Sequence, residues 1–125
     1  NANGFFISYG NGARNTSNDS SGSDFGIALP KDCTLRAIAF ACANSGNEDS
    51  QTVTVQVYRN GTGLSGETQT IDSSGSSGGV FSSIKEDFDI EFDAGDRFNV
   101  RATDAANYVM QCGPTRMIAY FDLRE

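Results

Sequence analysis

The most regular pattern in the chain lies at residues 52–59, where Val53, Val55 and Val57 alternate with Thr54, Gln56 and Tyr58. Strict alternation puts the valines on one face of a strand and the polar side chains on the other. Asn60-Gly61 follows and predicts a turn. A second alternation joins Phe88, Ile90 and Phe92, with Asp87, Asp89, Glu91 and Asp93 between and around them. Ala94-Gly95 then turns the chain, and Phe98 and Val100 alternate with Arg97, Asn99 and Arg101. That segment predicts a hairpin with one solvated face. Shorter β-rich runs occupy residues 4–9, 25–29 (stopped by Pro30), 68–71, 108–112 and 117–123. Polar segments rich in Gly, Ser, Asn and Asp, at 13–23, 44–50 and 73–79, read as loops. About eight short strands with turns every 8–12 residues or so predict an all-β, antiparallel β-sandwich or jelly roll.

Residues 34–43 (TLRAIAFACA) are the most apolar stretch. As a strand, they set Ile38, Phe40 and Cys42 on one face and Leu35, Ala37, Ala39 and Ala41 on the other. Arg36 is the only charge on either side. A sandwich strand normally shows water one face, so a strand apolar on both needs cover twice over. A second subunit would supply that cover, with small alanines allowing close approach; residues of the first 25 positions would be the alternative. Leu35, Ile38, Ala39 and Cys42 also fit helical spacing, with Asp32 as N-cap, and residues 103–111 fit a short helix capped by Thr103.

Composition narrows the function. The 125 residues fit a single domain, 1–125, with 1–23 as a loop-rich lead-in. Asn1 in the first position predicts a processed fragment. Nine basic against 16 acidic residues give a net charge of −7, which repels phosphate backbones and anionic membranes, so neither nucleic acid nor membrane insertion is expected. No apolar run approaches the roughly 18 residues of a bilayer span. Three cysteines, Cys33, Cys42 and Cys112, cannot all pair within one chain. If Cys33 and Cys42 share a strand, nine residues hold them about 30 Å apart, far beyond the roughly 7 Å a disulfide spans. Cys42–Cys112, Cys33–Cys112 and three free thiols remain open.

Three segments together carry a resemblance. Residues 26–35 (GIALPKDCTL) look like the entry into an inner strand, and residues 88–100 (FDIEFDAGDRFNV) like a strand, Ala-Gly-Asp, strand unit. Residues 117–123 (MIAYFDL) look like a last strand. The combination resembles the tumour necrosis factor-like jelly-roll heads of bacterial collagen-like exosporium glycoproteins and phage fibres. The resemblance implies a homotrimer packed through inner-strand faces, with Leu35, Ala37, Ala39 and Ala41 at the interface. It also implies an extracellular place on a virion fibre, spore or cell surface, and exposed loops that contact a receptor or glycan. It implies no catalytic motif. No Gly-X-Y repeat precedes it in the first 20 residues.

The residues themselves offer little chemistry. No His is present, which removes the usual general base, zinc ligand and Ser-His-Asp arrangement. Asp87, Asp89, Glu91 and Asp93 form a row of carboxylates, suited to hydrolysis by a carboxylate pair but more simply read as a wet strand face. That row, or Asn47, Glu48 and Asp49, is also the only candidate for calcium, and neither has EF-hand spacing; no cofactor is expected. Asn47, Glu48 and Asp49, with Tyr58 and Arg59 beside the Asn60-Gly61 turn, are the candidate ligand contacts, Tyr58 having a cross-strand packing role as its alternative. The expected function is a non-catalytic trimeric head for attachment. A monomeric carbohydrate-binding module and a purely structural trimerisation cap are the alternatives.

Overall fold

The computed structural model describes the backbone of residues 4–7, 26–44, 52–72, 80–104 and 112–124, and the side chains of 26–41, 54–71, 82–101 and 116–124. Every described element is a strand: β1 (Gly4–Ile7), β2 (Ile27–Ala28), β3 (Cys33–Asn44), β4 (Thr52–Arg59), β5 (Thr62–Asp72), β6 (Val80–Lys85), β7 (Ile90–Phe92), β8 (Arg97–Asp104) and β9 (Cys112–Leu123). They form two antiparallel sheets. The first runs β1-β8-β4-β5, with β2 also on β8. In the second, β3 carries β9 along one edge, and β6 and β7 end to end along the other.

The two sheets share one core. Leu35, Ile38, Phe40 and Phe92 from the second sheet meet Val55, Val57, Ile71, Phe98 and Val100 from the first, all of them buried. Val55 and Val57 therefore point where the alternation of β4 predicts. Phe92, Phe98 and Phe121 make three mutual edge-to-face contacts, with ring centroids 5.2–6.0 Å apart, the geometry in which the positive ring edge meets a negative ring face. The helical reading of 34–43 fails, because these residues lie within β3. The helical reading of 103–111 lies mostly outside the described residues, and its first two residues end β8.

Two expectations change. The alternation at 88–100 is not a hairpin. β7 pairs with β3, whereas β8 pairs with β1, β2 and β4. Residues 93–96 carry the chain from one sheet to the other, which is why Phe92 and Phe98 face each other across the core rather than lying side by side. Gly95, at φ 90°, takes the left-handed conformation this corner needs. The second change is at Leu35, which does not share a face with the alanines. The ladder to β9 shifts register between Leu35 and Ala37, and the extra residue, Arg36, restores Leu35 to the core side with Ile38 and Phe40.

The true hairpin is β4–β5. Arg59 pairs with Thr62 across the two-residue loop Asn60-Gly61, whose φ values of 51° and 79° are both positive. That is the primed turn matched to strand twist, and Asn-Gly is its preferred sequence. β5 is consequently far longer than the 68–71 run expected.

The ends of the two-sheet body differ. At one end, Asn44, Thr52, Asp72, Val80, Asp104 and Cys112 terminate their strands together, as the pairs Asn44↔Cys112, Ala43↔Val80, Thr52↔Asp72 and Val53↔Asp104 show. The other end is tied by short-range bonds between separate turns. The Leu29 N–H donates to the Asp96 carbonyl at 2.9 Å and the Gly95 N–H to the Leu29 carbonyl at 2.8 Å. The Ala94 N–H donates to the Asp32 carboxylate at 2.8 Å, and the Arg124 N–H to the Asp32 carbonyl at 3.0 Å. Asn60 joins this corner through its side chain: its amide donates to Asp96 Oδ1 at 2.9 Å, and its Oδ1 accepts from the Arg97 N–H at 2.8 Å.

Candidate assembly face

Alternation sends the second set of β3 side chains away from the core, onto the outer face of the second sheet. Ala39 lies opposite Ile84 of β6 on one side and Ile118 of β9 on the other. Ala37 lies opposite Tyr120, and Ala41 between Ser82 and Arg116. The three alanines are half-buried by their taller neighbours, while Ile84, Ile118 and Tyr120 remain 68%, 72% and 62% exposed. Among the described residues these are three of the five large exposed hydrophobics, and the register gathers them on one face. Scattered single apolar residues need no explanation, but a contiguous patch marks an interaction surface.

The patch has a polar border. Arg36 donates to Asp89 at 2.8 Å and to Asp122 at 3.1 Å, closing the end beyond Ala37; Ser82 and Arg116 close the other. An apolar centre with a charged rim is the usual anatomy of a protein interface. The rim pairs are exposed on both sides and hold little stability by themselves. Their role is to keep the Arg36 guanidinium at the edge, off the alanine stripe.

The described part of the N-terminal region does not cover this face. β1 and β2 both pair with β8, in the other sheet. Of the residues expected at the interface, Ala37, Ala39 and Ala41 lie on the face, and Leu35 is wholly buried beneath it. Ile84, Ile118 and Tyr120 were missed. The signal for two of them was present: in residues 117–123, Met117, Ala119 and Phe121 alternate with Ile118 and Tyr120, so both faces of that strand are apolar, as in β3.

Asn47, Glu48 and Asp49 lie outside the described residues. Tyr58 and Arg59 are neighbours in one strand and leave on opposite sides of the sheet. Tyr58 stands across from Gly63, where a Cβ would come within 3.2 Å of its ring, so the glycine makes room for the aromatic, a cross-strand packing role. Arg59 donates to the Glu91 carbonyl at 2.7 Å and sits 5.8 Å from the centroid of the Phe92 ring.

The carboxylate row is matched by cations. Asp87 contacts Lys85 at 2.7 Å, Asp89 contacts Arg36, and Glu91 and Asp93 contact Arg124 at 3.8 and 3.0 Å. Lys85 holds the Asp87 carboxyl below its ordinary range, chiefly through their hydrogen bond. Among the described residues, no three His, Cys, Asp or Glu side chains are grouped so as to hold a metal ion, and no helix is long and apolar enough to cross a membrane. Cys33 is a free, buried thiol whose pKa is pushed up chiefly by burial, with Arg124 pulling the other way. It pairs with Leu123 at one end of the β3–β9 ladder, while Cys112 pairs with Asn44 at the other. Roughly 35 Å of strand separates Cys33 from Cys112, so no bridge joins those two.

No protein-family model matches the chain, and no match is found among curated proteins.

Proposed function

We propose that the chain is a non-catalytic, homotrimeric head domain of a fibre or surface filament, displayed on a virion, spore or cell surface, where it mediates attachment. The observation that carries the reading is the outer face of the second sheet, where Ile84, Ile118 and Tyr120 flank the alanine stripe. Further copies of the chain are its occupants. Each copy carries a charge of −7, so only a substantial apolar contact can offset the repulsion between them. The alanines in the middle let a neighbour approach closely, and the large residues at the sides supply area.

The strand order supports a jelly roll of the tumour necrosis factor type. Reading β6 and β7 as one interrupted strand, and β1 and β2 as another, the two sheets interleave as such a fold does when its first strand is set aside. The attachment surface in this reading is carried by the loops expected at 44–50 and 73–79. Light scattering on the eluted protein tests the assembly: a mass three times the 13.3 kDa of one chain is expected, and a clean monomer at micromolar concentration defeats the reading. Loss of cell or glycan binding on replacing 44–50 or 73–79, with the trimer intact, tests the attachment; unchanged binding leaves a structural cap.

One observation favours a second reading, a monomeric carbohydrate-binding module. Tyr120 is an exposed aromatic on the outer face of the second sheet, and sugars stack on such rings. Strong glycan binding by a monomer, abolished by Tyr120→Ala, would promote it.

A further inference from the structure

Asn60 is followed by Gly61, the one residue type with no side chain to crowd the backbone nitrogen that would attack, and the two form a turn in which Asn60 is exposed and Gly61 half-buried. We infer that Asn60 is a site of spontaneous amide hydrolysis that the fold holds closed, and that its conversion releases the tied end of the domain irreversibly.

The chemistry is an intramolecular acyl transfer. The Gly61 backbone nitrogen attacks Cγ of Asn60. The new N–Cγ bond forms, the Cγ–Nδ2 bond breaks, and ammonia leaves with the proton lost from the Gly61 nitrogen. Water then opens the resulting cyclic imide at either carbonyl, yielding aspartate or isoaspartate. Nothing is oxidised or reduced, and water is the only co-reactant.

The native turn resists the first step. Both polar atoms of the Asn60 side chain are engaged: Nδ2 donates to Asp96 Oδ1 at 2.9 Å, and Oδ1 accepts from the Arg97 N–H at 2.8 Å. The Asn60 N–H is fixed as well, donating to the Arg97 carbonyl at 3.0 Å. Cγ is therefore aimed at β8 and the 93–96 corner rather than at its own C-terminal neighbour, and reaction waits for the turn to open. Two side-chain hydrogen bonds, each holding back the open form about fivefold, slow the reaction roughly thirtyfold relative to an unrestrained chain.

The same contacts make conversion one-way. The aspartate formed from Asn60, once ionised, can only accept hydrogen bonds, yet the atom that faced Asp96 was a donor at 2.9 Å. Two carboxylates would then meet at contact distance, where both cannot stay charged and close. Asp96 also accepts from the Asp93 N–H at 2.8 Å, and its carbonyl accepts from the Leu29 N–H, so displacing it loosens the 93–96 corner and the 29–32 turn together. An isoaspartate adds a backbone atom to a two-residue turn whose register is set by its length.

The test follows residue 60 by peptide mass mapping during incubation of the wild-type protein at mildly alkaline pH, folded and in concentrated urea. A gain of one mass unit at Asn60, about thirtyfold slower in the folded protein, is expected. Asp96→Ala, which removes one restraint, brings the folded rate about fivefold closer to the unfolded one. Asn60→Asp, which mimics the product, lowers the thermal midpoint by about 5 °C or more. Equal rates in folded and unfolded wild type overturn the inference, as does an unchanged midpoint for Asn60→Asp. The rate comparison needs no variant, so it stands even if a variant fails to fold.

Discussion

The assembly face makes its sharpest prediction at Ile118, the most exposed of its three large hydrophobics. Fully burying an isoleucine side chain is worth about 1.5–3 kcal/mol. With 72% of the residue open to water in one chain, covering it contributes roughly 1–2 kcal/mol per protomer. Ile118→Glu removes that term and adds a carboxylate that must be desolvated at the contact, a further cost of several kcal/mol. In the proposed trimer each protomer loses this at every interface, so at micromolar concentration the assembly should give way to the 13.3 kDa chain. The isolated fold should lose no more than about 1.5 kcal/mol and stay folded, since substitutions at exposed positions stay within about 0.5 kcal/mol, with up to ~1 kcal/mol more for the strand preference of isoleucine. The assay is light scattering on the eluting protein, paired with circular dichroism to show that the variant is folded; Ile118→Val serves as the conservative control and should keep the wild-type mass. A folded Ile118→Glu that elutes with the mass of a wild-type trimer would refute the assignment of this face.

Other consequences can be checked independently. Phe98→Ala, which empties a wholly buried site contacted edge-on by Phe92 and Phe121, should cost about 3–5 kcal/mol, read as a fall of the thermal midpoint by ~12–20 °C. Association should tighten with added salt, because every copy carries −7 and the screening length is only about 10 Å at 0.1 M; weakening with salt in sedimentation velocity would point to charge pairing instead. The Asp96 carboxyl is held below its ordinary value of 3.8, first by the Asn60 hydrogen bond and then by the Asp93 N–H. Its stabilisation is therefore complete above 3.8 and disappears as pH falls through the lower folded value. Asp96→Asn should flatten the acid limb of the midpoint-versus-pH curve below that point. Cys33, buried with a raised pKa, should react with a thiol reagent only as the protein unfolds; fast labelling mapped to Cys33 itself in the native protein would contradict its placement.

Much of this domain could be read from alternation. The alternation of β4 and the Phe-Ile-Phe run around β7 each specified a strand and its buried side, whereas residues 34–43, apolar on both faces, specified neither a buried side nor, alone, a strand over a helix. Asn60-Gly61 specified its turn, because few residue pairs accept two successive positive φ values. The alanine stripe was legible for the same reason, since Ala37, Ala39 and Ala41 recur at every second position. The flanking half of that face was harder to see, since Ile84 and Ile118 come from strands distant in sequence and become neighbours of Ala39 only through register.

What alternation cannot carry is pairing. Backbone N–H and C=O groups are alike at every residue, so a strand's pattern states which side faces the core and not which strand lies beside it. For that reason a hairpin and an inter-sheet corner look the same around Ala94-Gly95, and only the shared core of two sheets set Phe92 against Phe98. A single extra residue likewise inverts every later assignment of faces. The register shift at Arg36 moved Leu35 from the alanine face to the core, and there the packing of Leu35 with Ile38 and Phe40, rather than the period of the sequence, decided the outcome.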